Sequence, residues 1–320
     1  MSQKNHYFSG AIYCLMATLS WGVMFPVMTH ALKIADPFTF TCLRYTIAGI
    51  FFLLFLYYKE GKSAFKLDGN LFLLWLFGSA GFAGFGFLVF LGQKIAGPQG
   101  ALSASMMMAT MPMLGLLLTW GLKKIKPAPF SFVFILMSFL GVLLVISKGH
   151  LAQIFTAPSN YLANLFMLGG ALCWVLYTIG ATYFSQWSPI KYTALSTLFG
   201  LPSIYVITGS LLFSGSIEMP TFSTIIDFSP ELLYMVLVAG FIGVLCWNSG
   251  NKIITSINGV LFMDVVPITA FAISILSGIV PTKSQILGVF FTATALVLNN
   301  LYQRRRLYLM KTASLTLVKP

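Results

Sequence analysis

Gly92-Gln93-Lys94-Ile95 and Gly250-Asn251-Lys252-Ile253 are two short polar breaks at matching places in a chain that is otherwise almost continuously apolar. Other residues recur at nearly the same interval. Trp21 and Trp174, Pro37 and Pro189, and Pro112 and Pro267 lie 152 to 155 residues apart, and the two glycines of the breaks lie 158 apart. Self-similarity at a fixed period marks an internal duplication, here of a unit of about five apolar segments. The expected units are 7–150 and 158–303, followed by a basic tail at 304–320.

Composition names the solvent. With 58% hydrophobic and only 8% charged residues among 320, and a mean hydropathy of +0.88, the chain has more apolar side chain than one soluble core could hide. Lipid must cover the rest. A helix needs about 20 apolar residues to cross a bilayer, and ten such stretches are read, near 10–32, 37–58, 70–92, 97–122, 129–147, 161–184, 191–214, 231–251, 257–279 and 284–303. The expected fold is therefore an all-α membrane protein of ten transmembrane helices in two five-helix repeats around a central cavity.

The first stretch follows Lys4 as a signal peptide would, but its apolar run is too long, contains Pro26 and lacks a clear cleavage site, so it is read as a span. Cys14, Cys42, Cys173 and Cys246 all fall inside predicted helices without paired spacing, and read as small core residues.

The net charge of +12 invites a nucleic-acid reading, but the distribution points to a membrane. If the N-terminus is cytoplasmic, 14 basic residues fall on inner loops and tails. Lys33, Lys94, Lys148 and Lys283 fall outside, and Arg44 lies within the second span. That bias is the positive-inside pattern and predicts both termini in the cytoplasm, with the acidic loop 215–230 outside and Arg304 to Arg306 anchored at an anionic inner leaflet.

An odd number of spans per unit forces the second unit to enter the membrane in the opposite direction. Lys94 and Lys252 then lie near opposite faces. Inverted repeats suit alternating access, because two similar halves can exchange conformations around one midplane site.

Leu19-Ser20-Trp21-Gly22, Arg44 with Ala48, and Ala104-Ser105 leading to Met111-Pro112 form an ordered set. It recurs as Leu172-Cys173-Trp174, Val265-Val266-Pro267 and Gln285-Ile286-Leu287-Gly288. In that order the chain resembles the EamA-like family of the drug/metabolite transporter superfamily over nearly its whole length. The resemblance implies a ten-helix carrier whose cavity is lined mainly by helices one, three, four, six, eight and nine, Ser105 among the candidates. Members typically export amino acids or related small metabolites. Many relatives carry a glutamate just after the fourth and ninth spans, where this chain has Leu122 and Ile279, so no role of those glutamates carries over.

Candidate substrate-binding residues follow from depth and chemistry. Trp21 and Trp174 occupy equivalent places, with Tyr177 one turn beyond Trp174. Such rings line a cavity, hold a cation or simply pack. Asn248 and Asn251 share a helix face that must look inward, as interhelical glue or as substrate contacts. Asp264 is the one acidic residue clearly inside a span and is expensive there. It reads either as a proton-coupling carboxylate or as a hydrogen-bond partner of Asn248, Asn251 or a hydroxyl. Pro112 and Pro267 free the carbonyls of Met108 and Met263, making hinges or packing kinks. Lys94 and Lys252 read as gate elements or as snorkelling side chains, and Arg44, near the outer face, likewise as a snorkelling side chain. Met106, Met107, Met108, Met111 and Met113 offer a compliant wall.

No phosphate loop, dinucleotide fingerprint or metal-spaced His/Cys set occurs, and His6, His30 and His150 are isolated. No catalytic residue, metal or cofactor is expected. The expected partners are a small-molecule substrate, the bilayer and protons, in a cytoplasmic membrane. The alternative substrates are organic phosphates, nucleotides or lipid-linked intermediates, held by Lys94, Lys252 and Arg44. A membrane enzyme would need an acid/base pair at one depth, and Asp264 stands alone.

Overall fold

The computed structural model describes residues 3–97, 100–124, 126, 129–147, 149, 158–276 and 282–316. Gln99, Lys148, His150, Ile279 and Lys319 lie outside the described residues, as do the side chains of Lys4, His6, Gln285, Arg304 and Lys311.

Every regular element among the described residues is a helix. In chain order they are α1 (Gln3–Ala31), α2 (Pro37–Glu60), α3 (Leu71–Ile95), α4 (Gly100–Lys123), α5 (Pro129–Ser147), α6 (Tyr161–Phe184), α7 (Pro189–Phe213), α8 (Ser229–Ile254), α9 (256–276) and α10 (Lys283–Thr316), with short helical turns between some of them. Seven of these, α1 to α4 and α6 to α8, are long and apolar enough to cross a membrane. The other three expected spans correspond to shorter apolar helices, Pro129–Gly141, Asn258–Ile273 and Ile286–Asn299. Backbone helix in α10 continues to Thr316, well past the apolar part.

Local chemistry repeats with the sequence. Asp36 caps α2 by accepting from the amides of Phe38 and Thr39, and Ser188 caps α7 by accepting from that of Lys191. A proline follows each cap, where its missing amide costs nothing. Both α3 and α8 contain a π-helical stretch, Ser79–Gly84 and Tyr234–Ile242. Both end within the repeated Gly81-Phe82-Ala83-Gly84 and Gly240-Phe241-Ile242-Gly243. The proline-weakened places also pair: α4 tightens to a turn at Ala109 and Thr110 before Pro112, and α9 becomes a 3₁₀ turn at Leu261–Asp264 before Pro267.

Packing follows the same exchange of halves. Helix α1 lies on α8 and α6 on α3. Likewise α1 meets α9 as α6 meets α4, while α2 with α7 and α5 with α10 pair with their own counterparts. The glycines of the two polar breaks sit at two close crossings of this set. A Cβ on Gly92 would lie 2.6 Å from the Ala163 carbonyl oxygen, and one on Gly250 would lie 2.8 Å from that of Gly10. Small residues let backbones approach this far when lipid supplies no hydrophobic drive between helices. Outward faces carry Leu54, Phe72, Leu165 and Val206, each 62–67% exposed, an apolar surface that only lipid would cover.

Candidate functional site

Where α1, α6 and α8 meet, the rings of Trp21 and Trp174 lie edge to face at 5.1 Å, and Trp247 lies 5.2 Å from Trp21. Such edge-to-face pairs set the positive ring edge against the negative face. The cluster continues from Trp174 to Phe85 at 5.2 Å and to Tyr177 at 5.0 Å, then to Tyr192 at 5.2 Å. A central cavity lies against it, lined by Trp21, Met24, Arg44, Phe85, Met108, Met111, Trp174 and Met263 among others. Its interatomic space totals about 320 Å³, so finely divided between side chains that it barely admits a water molecule. The chamber is shut.

A roomier vestibule of about 740 Å³ lies on the Lys252 side, lined by Thr182, Ser185, Trp187, Tyr192, Asn248, Asn251, Lys252 and Thr255 among others. Asn248 forms its inner wall. The Asn248 amide donates to the Tyr177 hydroxyl and to Thr193 Oγ1, both at 2.7 Å, while Trp247 Nε1 donates to Thr178 Oγ1 at 2.9 Å. These bonds tie α8 to α6 and α7, and separate vestibule from chamber.

The expected site residues thus divide. Trp21 and Trp174 line the shut chamber, and Asn248 and Asn251 line the vestibule. Tyr177 is buried between them. Ser105 is buried too, but its hydroxyl donates to Leu102 O in its own helix and it lines neither space. Pro112 and Pro267 are buried beside the chamber wall at the two helix breaks. Among the methionines, Met108 and Met111 face the chamber, whereas Met106 packs with Ala109 and Phe271.

Asp264 is buried in the 3₁₀ turn and does not line the chamber; its neighbours Met263 and Val266 do. Ser138 of α5 lies beside its carboxylate, and Oδ1 has no hydrogen-bond partner. Neither asparagine is its partner, since Asn248 is engaged as above and the Asn251 amide donates to Trp247 O.

Lys94 lies 3.9 Å from Asp36, and Lys252 donates to the carbonyls of Ser185 and, at 2.8 Å, Trp187. Each lysine therefore holds the loop between the first two helices of its own half.

Arg44 corrects the expectation of a side chain that snorkels toward the outer head groups. It is 1% exposed and lines the chamber. Its Nε donates to Met235 O at 3.1 Å, Nη2 lies 3.8 Å from Met24 Sδ, and the guanidinium sits 4.7 Å from the Tyr45 ring centroid. The π-helical stretch of α8 makes this possible: it turns the Met235 carbonyl to Arg44 and the Ala239 carbonyl to Trp21 Nε1 at 2.9 Å. A π-turn leaves such groups off the regular ladder. Trp247 and Thr193 were also missed. The available signal was the cost of a charge eight residues into a span, which argues for burial against protein.

These features define a multi-pass membrane protein built on a repeated helical unit around a closed aromatic chamber. The chain belongs to the EamA-like transporter family, whose model matches residues 8–147 and 161–301. It is 39% identical over 306 residues to an uncharacterized transporter of Bacillus subtilis (strain 168), YrdR, covering 96% of this chain and 95% of that one. A second B. subtilis transporter, YyaM, is 26% identical over 83% of this chain and 85% of its own length. A transporter of Archaeoglobus fulgidus is 25% identical over 84% and 87%. One crystal structure, 18% identical, shares the fold with a TM-score of 0.72 over 93% of this chain and 98% of its own. The protein is a membrane transporter and not an enzyme.

Proposed function

We propose that the protein is a secondary exporter of amino acids or similar small metabolites in the cytoplasmic membrane, working by alternating access between two inverted five-helix repeats, 7–150 and 158–303. Both termini, including the basic tail 304–320, are then cytoplasmic. The observation that carries this reading is the asymmetry of a repeated framework: a shut chamber with a vestibule on the Lys252 side and a hydrogen-bonded closure on the Lys94 side. There Gln93 Nε2 donates to Phe25 O at 2.8 Å and to Thr29 Oγ1 at 2.7 Å, tying α3 to α1. Under the positive-inside orientation the vestibule opens to the cytoplasm, the loading side for an exporter.

Pro112 and Pro267 serve as paired bending points, and Lys94 and Lys252 as the ties of the moving joints. Asp264 is a proton-coupling residue acting through the α9 break, not by touching substrate. The engagement of Lys94 by Asp36 and of Lys252 by carbonyls argues against organic phosphates, which would need several free cations.

Counterflow of labelled amino acids in proteoliposomes tests the reading, and absence of substrate-dependent flux across a broad panel overturns it. Asp264→Asn tests coupling: the expected result is flux that no longer responds to a pH gradient, and an unchanged response removes the proton role.

A further inference from the structure

The chamber holds an unused pair of hydrogen-bond donors. Arg44, 1% exposed, presents Nη1 with no partner, and Trp174, 3% exposed, presents Nε1 with no partner. Both line the same cavity. A buried donor left unpaired costs free energy, and a buried guanidinium without a counter-charge costs more. Among the described residues no ion pair involves Arg44; the pairs present are His30 with Glu231, Lys94 with Asp36 and Lys191 with Asp68. The nearest relief available is two neutral acceptors and the faces of Tyr45 and Phe90. The remaining walls are methionine, aromatic and valine side chains, with no acidic residue among them.

We propose that Arg44 and Trp174 receive the carboxylate of the transported molecule, and that the substrate class is a small monocarboxylate on an apolar body, free or as the carboxylate end of an amino acid. This rests on the transporter reading and adds the group by which the substrate is recognised. A carboxylate oxygen accepts from Nη1, and the indole N–H reaches the same anion. A charge-assisted bond of this kind is about twice as strong as a neutral one. One guanidinium balances one negative charge, so a phosphate monoester is over-charged for the site. An ammonium group finds aromatic faces but no carboxylate, so the substrate amine is dispensable. An anion on Nη1 and the indole N–H satisfies both unpaired donors.

The test uses the full-length protein in lipid nanodiscs and four probes sharing one branched alkyl body: 3-methylbutanoate, L-leucine, isopentylamine and isopentyl phosphate. Thermal stabilisation and calorimetric affinity are read for each. The expected result is binding of 3-methylbutanoate at least as tightly as L-leucine, whose ammonium meets aromatic faces but no carboxylate, and binding of the amine and the phosphate at least about tenfold weaker than 3-methylbutanoate. Arg44→Gln should weaken the carboxylates at least about thirtyfold and leave the amine no weaker. Because Arg44→Gln also relieves a buried charge and could disturb the fold, Trp174→Phe, which keeps the ring and removes the donor, provides a second readout with an expected loss of about fivefold. Preferential binding of the amine, or unchanged carboxylate affinity in both variants, overturns the proposal. Binding with the expected discrimination but without counterflow would sink the exporter reading and leave the carboxylate site standing; amino-acid counterflow unaffected by either variant would do the reverse.

Discussion

The Gln93 joint and the Asn251 joint are one ancestral element found in two states. On the first, Gln93 reaches across to Phe25 O and Thr29 Oγ1 of α1. On the second, Asn251 bonds only the Trp247 carbonyl of its own helix, and its Oδ1 is unpartnered. The residues matching Phe25 and Thr29 at the repeat interval are Thr178 and Thr182. The carbonyl of Thr178 accepts from Ser256, and the hydroxyl of Thr182 donates to Ile179 O within its own helix. Asparagine is one methylene shorter than glutamine, so the bridge made on one side falls short on the other. The vestibule lies where the bridge is missing. A second difference runs alongside it: Gly97 follows the first joint at φ +62°, and Thr255 occupies the matching place at φ +74° and ψ 150°, a conformation largely reserved for glycine.

The crossings beside the joints should tolerate no added side chain. Gly92→Ala and Gly250→Ala each drive a Cβ to within 2.6–2.8 Å of a backbone oxygen on the opposing helix. A loss of about 2–3 kcal/mol is expected, read as a lower melting temperature of the purified protein. If both variants melt like the parent, the close crossing of the halves is not where their register is held.

Swapping the joint side chains should move the vestibule. Asn251→Gln is expected to make the missing bridge to α6 and lower thiol labelling at Thr255→Cys by about tenfold, while Gln93→Leu should open the Lys94 side and raise labelling at the buried Leu32→Cys by a similar factor. Equal labelling before and after would mean that the two side chains do not distinguish the states.

Thr255→Gly removes backbone strain and should stabilise the protein by about 1 kcal/mol, while Gly97→Thr introduces it and should cost about as much. Melting temperatures of the reciprocal pair check this.

The smallest effect is expected at the vestibule rim. Hydrogen bonding from Lys191, at 3.2 Å, holds the Asp68 carboxyl below its usual range, and Trp187 Nε1 adds a second donor at 3.0 Å. A carboxyl with a depressed folded pKa contributes stability above the unfolded value near ~3.9, and loses it as pH falls through the lower folded value. Fluorescence from Trp187, isolated by subtracting Trp187→Phe, should therefore be steady at neutral pH and change only in acid. Asp68→Asn should abolish that transition.

Much of this comparison was readable beforehand. The repeat, its period, the proline breaks and the equivalence of Trp21 with Trp174 all arise from side chains whose meaning is local: apolar runs need lipid, proline removes an amide, a cap precedes its helix. Arg44 was misread as a snorkelling side chain because position along a span does not say which helix packs over it; the Met235 carbonyl that accepts from it comes from the π-helical stretch of α8, 191 residues away. Asn248 and Asn251 share a face by spacing, yet their roles part because one meets Tyr177 and Thr193 of other helices while the other bonds only the Trp247 carbonyl of its own. Asp264 was singled out by its cost in lipid, but which way it points depends on where α5 packs.

By itself the sequence determined the solvent, the helices and the duplication, since burial cost and backbone chemistry act over a few residues. Only the tertiary structure decided which joint is bridged, which donors of the aromatic chamber are left over and where Arg44 resides, because each depends on contacts between helices far apart in sequence that no spacing along the chain specifies.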